Sequence, residues 1–189
     1  MSMRKAVGLA AIALMLCAGT ASAEGRNVGK LSIGYQRVDA GESGWEDGIS
    51  SRYWVNDNVG IEGNIFYNAW SYKYNDNAEV YDNSTLTGTV KVMYAPVVKE
   101  NSRFYVGLEG GLGNYDYKDK LSPENDYTNT FWGVKPLIGV EYNFPGISEL
   151  GLNFEVGYLF SSAKDDPTDD HDIYDNSGVR VGLGAHYYF

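Results

Sequence analysis

The chain has 189 residues, one cysteine and a formal charge of −10, with 16 tyrosines, 4 tryptophans and 23 glycines. That length fits one domain. The acidic excess excludes a nucleic-acid partner, because binding phosphates needs clustered Lys and Arg.

Residues 1–23 read as an export signal. Arg4 and Lys5 precede an apolar run from Ala6 to Ala18, and Ala21-Ser22-Ala23 makes a small-x-small cleavage site ahead of Glu24. The run is shorter than the roughly 20 residues a membrane-spanning helix needs. Cys17 would leave with this segment, since Leu16 stands where a lipoprotein signal wants a small residue. The mature domain, 24–189, is then expected to hold no thiol and no disulfide. Losing Arg4 and Lys5 removes two positive charges and no negative one, which takes the charge from −10 to −12.

Beyond Glu24 no segment carries a helical apolar period. Period-two alternation recurs instead in eight blocks of about ten residues, the length at which a tilted strand crosses a bilayer. Lys30 to Val38 puts Leu31, Ile33 and Tyr35 on one face. Ile49 to Val55, the weakest block, has Tyr53 and Val55, and Val59 to Asn68 has Val59, Ile61, Ile65 and Tyr67. Leu86 to Ala95 contributes Val90, Val92 and Tyr94, and Arg103 to Tyr115 contributes Phe104, Val106, Leu108 and Leu112. Phe131 to Asn143 presents Trp132, Val134, Ile138, Val140 and Tyr142. Leu150 to Phe160 presents Leu152, Phe154, Val156 and Tyr158, and Val179 to Phe189 presents Val181, Leu183, Ala185 and Tyr187. The connections alternate between short (56–58, 97–102, 144–149) and long and polar (39–48, 69–85, 116–130, 161–177). The expected fold is all-β: an eight-stranded antiparallel up-and-down transmembrane barrel with both termini on the short-turn, periplasmic side. A soluble β-sandwich is the alternative. Aromatic residues near strand ends, among them Tyr35, Tyr67, Trp70, Tyr94, Trp132 and Tyr158, suit girdles at the two membrane interfaces.

The intervening residues are small and polar, with a charge or two on most strands. From the second strand onward the charges run Arg52, Glu62, Lys91, Glu109, Lys135, Glu155 and Arg180, alternating in sign, and Glu141 joins them on the sixth strand. Adjacent strands lie about 4.8 Å apart. Each charge can therefore meet an opposite one next door wherever the heights match, filling the lumen with an ionic network. An eight-stranded barrel is just wide enough for side chains to fill it, which argues against an open pore.

The last residues, Gly184 to Phe189, resemble the terminal strand that the barrel-assembly machinery reads: Phe189 at the end, Tyr187 at an alternate position and Gly184 five residues back. Over the mature chain the pattern is similar to that of the small outer-membrane β-barrel ("porin family") proteins, OmpA-membrane-domain-like in shape. The resemblance implies an ion-paired interior, contact with outer-membrane lipid and lipopolysaccharide, and roles in envelope integrity, adhesion or defence. It implies no cofactor.

Chemistry is sparse. His171 and His186 are the only histidines, and neither has a serine and a carboxylate at triad-like spacing in the sequence. A lipid A-modifying enzyme is therefore the third reading, behind a non-catalytic scaffold and a surface-binding or adhesion protein acting through loops 69–85 and 161–177. In the last loop Asp165, Asp166, Asp169, Asp170, Asp172 and Asp175 could supply hard oxygen ligands to a cation, though without EF-hand spacing. A solvated surface loop is the plainer account.

Overall fold

The structure is a computed structural model that describes residues 27–39, 41, 44–74, 78–164 and 177–189. Eight strands follow in chain order: β1 (Ser32–Asp39), β2 (Trp45–Trp54), β3 (Val59–Tyr74), β4 (Ala78–Lys99), β5 (Ser102–Asp119), β6 (Tyr127–Phe144), β7 (Ile147–Lys164) and β8 (Gly178–Tyr188). Each pairs antiparallel with the next, and β1 pairs with β8 from Ser32↔Tyr188 to Val38↔Gly182, so the sheet closes into a barrel in the expected up-and-down order. Closure leaves no edge within the band that meets lipid, and the strands satisfy one another's backbone groups there.

The burial is inverted relative to a soluble protein. Val92, Leu108, Ile138 and Phe160 are each more than half exposed on the outer surface, while Arg52, Glu62, Lys91 and Glu141 are 0 % exposed within. Only an apolar solvent makes that arrangement favourable, because it removes the cost of exposing the outer face.

Short turns are built locally. The Asn56 side-chain oxygen accepts the backbone N–H groups of Asn58 (2.9 Å) and Val59 (2.8 Å), turning the chain from β2 into β3. Glu100 and Asn101 alone join β4 to β5. Gly146 joins β6 to β7 at φ 90, in open space, so its lack of a side chain serves conformation there. Residues ahead of β1 close this end of the tube. Val28 is buried and bridged to Trp54, and Asn27 Nδ2 donates to the Ser148 carbonyl at 2.8 Å.

The other end differs from the sequence reading in one respect. Segments 69–85 and 116–130 were expected as loops, yet β3 and β4 stay paired as far as Tyr74↔Ala78, and β5 and β6 as far as Tyr117↔Tyr127. β4 holds 22 residues, about twice what a tilted crossing needs. Above the membrane the outward face need not be apolar, so the hydrophobic period stops while the hydrogen-bond ladder continues. For the same reason β2 begins at Trp45 and β7 runs to Lys164. Between β5 and β6, the Asp119 carboxylate accepts the N–H groups of Leu121 (2.9 Å) and Ser122 (3.1 Å), which hold its carboxyl below the usual range.

Trp70 corrects the girdle assignment. It is the register partner of Asn83, whose side chain is buried, and its ring meets Tyr81 edge-on. It therefore faces the barrel axis above the membrane rather than the lipid.

Glycines on the inner face make room for large side chains. A Cβ on Gly139 would lie 2.5 Å from the Tyr105 ring. Gly139→Val should destabilise the barrel by about 1–3 kcal/mol through overpacking. The check is the temperature at which the purified protein loses its fast, folded migration on an unheated gel.

Candidate functional site

The inward faces converge on a band of charge across the middle of the tube. Register sets up the first part of it. Arg52 lies opposite Glu62, Glu62 opposite Lys91, Lys91 opposite Glu109, and Glu109 opposite Lys135. Contacts follow this ladder. Arg52 Nε donates to Glu62 Oε2 at 2.5 Å, Lys91 Nζ to Glu62 Oε1 at 2.7 Å, and Lys135 Nζ lies 2.8 Å from Glu109 Oε2. Lys91 is also 4.0 Å from Glu109.

The remaining charges are arranged differently from a strand-by-strand chain. Glu155 pairs in register with Gly139, four residues nearer the short-turn end than Lys135, and with Gly182, while Arg180 is opposite Gly157. Four residues of strand amount to about 13 Å, too far for Lys135 and Glu155 to meet as neighbours. Glu155 reaches across the lumen instead. It accepts from Lys91 Nζ at 2.7 and 2.8 Å and from the Tyr105 hydroxyl at 2.7 Å, and it lies 3.3 Å from Arg52 Nη2. Arg180, nearer the open end, donates to its neighbour's Val179 carbonyl at 3.1 Å.

Glu141 joins the same centre. Its Oε2 accepts from Arg52 Nη1 at 2.5 Å and from the Tyr188 hydroxyl at 2.7 Å. Arg103 Nη1 lies 3.4 Å from its other oxygen, and the Arg103 guanidinium sits 4.8 Å from the Trp54 ring centre. One connected cluster thus takes a side chain from every strand between β2 and β8. Arg52, Lys91, Arg103 and Lys135 face Glu62, Glu109, Glu141 and Glu155, four basic side chains against four acidic ones. Buried ions need such partners, since a lone buried charge is strongly unfavourable.

Sequence reasoning did not single out Arg103, Tyr105 or Tyr188 as members. Their signal was present in the same alternation, which puts Arg103 two residues below Tyr105 on the inner face.

The fold does bring a serine, 136 residues away in the chain, beside His186. Ser50 Oγ is 2.6 Å from His186 Nε2, and Glu62 Oε2 is 3.9 Å from that same nitrogen. A catalytic triad needs the carboxylate on the opposite ring nitrogen, where it orients the base. Here Nδ1 has no hydrogen-bond partner. The pair is buried beside Arg52, Glu62 and Glu141, groups that already hold one another. Among the described residues no group of acidic, His or Cys side chains is placed to hold a metal ion.

Of the terminal motif, Gly184 lies on the inner face of β8 where a Cβ would strike Gln36 and Asn153, and Tyr187 points outward at 53 % exposure. Phe189 donates its N–H to the Leu31 carbonyl at 3.0 Å, which ties the last residue to the start of the barrel. Asp165, Asp166, Asp169, Asp170, Asp172 and Asp175, together with His171 and the expected export signal at 1–23, lie outside the described residues.

No curated protein sequence matches this chain. Among solved structures it is similar to the outer membrane protein OprG from Pseudomonas aeruginosa, with a TM-score of 0.57, 17% identity, and coverage of 89% of this chain and 99% of that one. It is also similar to the outer membrane protein AlkL in lipid bilayers, at 0.50 and 15% identity, covering 90% and 94%. Ail of Yersinia pestis follows at 0.45 and 17% identity, covering 85% and 97%. At such identities the likeness is one of fold. A family model is decisive where these are not: the outer membrane protein beta-barrel domain matches residues 7–189, and the chain belongs to that family as an integral β-barrel of the outer membrane.

Proposed function

We propose that the protein is a plugged, non-catalytic scaffold of the outer membrane that serves the cell surface through its barrel and its projecting hairpins. The observation that carries this reading is the cluster around Arg52. Arg52, Glu62, Lys91, Glu141 and Glu155 are at most 2 % exposed and span the lumen from wall to wall. A transport route would have to break several charge-assisted bonds at once, each stronger than a neutral hydrogen bond. Catalysis is disfavoured by the Ser50–His186 geometry, in which serine and carboxylate compete for one nitrogen. In this reading Gly184, Tyr187 and Phe189 serve the barrel-assembly machinery during insertion, and the apolar outer face meets lipid and lipopolysaccharide afterwards. In planar bilayers the purified protein should give no stable unitary current steps. Reproducible steps of one size from the native barrel would overturn the plug.

A second reading, surface binding, is favoured by one observation. The β3–β4 and β5–β6 hairpins rise well beyond β1, β2 and β8, and carry Trp70, Tyr72, Tyr81, Tyr117 and Tyr127 toward the barrel axis. Exposed tyrosines among small polar residues supply large contact area at little entropic cost. The acidic segment 165–175 belongs to this reading as a candidate cation loop.

A further inference from the structure

The projecting hairpins hold an arrangement of phenols that neither membrane insertion nor plugging requires. Tyr72 and Tyr81 are direct register partners across β3 and β4, and their rings stack with centroids 5.1 Å apart at 10°. Tyr117 and Tyr127 are register partners across β5 and β6, and theirs stack at 5.1 Å and 18°. Tyr81 and Tyr117, at 5.8 Å and 29°, join the two pairs into one row of four rings across four strands. Stacking covers the faces of the inner two rings, while Tyr72 and Tyr127 at the ends stay 47 % and 46 % exposed. A small diffusible oxidant can reach the row from outside.

One further phenol, Tyr115, lies 6.0 Å from Tyr127, but the two rings are tilted by 42° rather than stacked. Tyr142 meets Phe144 edge-on and Tyr158 meets Phe160 at 51°, and in each of these pairs one ring has no phenol to oxidise. Cys17 is the chain's single cysteine, so a disulfide within the chain cannot tie these hairpins together.

We propose that Tyr72–Tyr81 and Tyr117–Tyr127 are sites of oxidative dityrosine formation, which staples each hairpin when a peroxidase-type one-electron oxidant acts at the cell surface. Each phenol gives up one electron and its hydroxyl proton to become a phenoxyl radical. The two radicals couple through a bond between their ortho carbons, and the hydrogens on those carbons return to the phenol oxygens as the rings regain aromaticity. Two electrons and two protons leave in total, and one hydrogen peroxide accepts them to become two waters. Near-parallel rings fixed face to face favour coupling within a pair over diffusion to a distant partner.

The test treats the folded barrel, in detergent and in isolated outer membranes, with horseradish peroxidase and limiting hydrogen peroxide, then digests it for mass spectrometry. Linked peptides joining Tyr72 to Tyr81 and Tyr117 to Tyr127, each two hydrogens lighter than their sum, are the expected products. Yields at these pairs should exceed those at Tyr35, Tyr94 or Tyr142 at least tenfold. Tyr72→Phe and Tyr127→Phe keep a ring in each stack, and each should abolish its own link alone. Equal yields from heat-unfolded protein, links spread evenly over the other tyrosines, or links only between molecules would each refute the assignment. So would an absence of links while free tyrosine in the same mixture couples.

Discussion

Arg52→Leu should destabilise the barrel by about 3–5 kcal/mol, the range for removing one partner from a buried ion pair. A lower urea midpoint for unfolding from lipid vesicles would report it. Leucine occupies much of the arginine stem's space, so the effect is chiefly electrostatic. The guanidinium donates to Glu62 and Glu141 at 2.5 Å each and lies 3.3 Å from Glu155. Without it, Lys91 retains Glu62 and Glu155, but Glu141 keeps only the more distant Arg103 as a cationic partner. The direction can be tested a second way. Adding Glu141→Gln to Arg52→Leu removes the carboxylate left short of charge and should recover part of the lost stability. An unchanged midpoint for Arg52→Leu would mean that water already screens this cluster.

That prediction rests on contacts only half visible in the sequence. Alternation assigns each residue to a face, and lipid enforces it strictly, which is why Arg52, Glu62, Lys91, Glu109, Lys135, Glu141 and Glu155 could be placed on the inner wall from residues alone. Alternation carries no information on height. The ladder from Arg52 to Lys135 matched because β2 to β6 run in step at that level. It failed at Glu155 because its register partner on β6 is Gly139 rather than a residue near Lys135. Contacts across the tube, such as Glu155 to Lys91, depend on barrel diameter and tilt, which no single strand encodes.

The paired extensions of β3–β4 and β5–β6 were read as loops for a related reason. Tyr72, Asn83, Tyr115 and Tyr127 alternate with polar neighbours instead of apolar ones, so the signal that marks a lipid-facing strand is missing although pairing persists. Cross-strand ring stacking takes its place as the local cause of strand structure.

The outer face is as testable as the lumen. Leu108→Arg should cost about 2–4 kcal/mol, the value for a cation on the lipid-facing side near mid-bilayer. Leu108 lies halfway along the outward row from Phe104 to Leu112 and is 56 % exposed. In the membrane its outward side chain would meet acyl chains, and its register partners are Val92 and Pro136, so no carboxylate stands beside it. Thr128→Arg on β6 also points outward, but beyond Trp132 and opposite Asp116, to which Thr128 already donates at 2.7 Å. An arginine there meets water and an acidic neighbour, so its cost should be about 0–1 kcal/mol. Folding yields into vesicles, followed by the gel-migration change, would compare the two. A soluble sheet would tolerate both arginines equally, whereas a lipid-facing barrel penalises only the first.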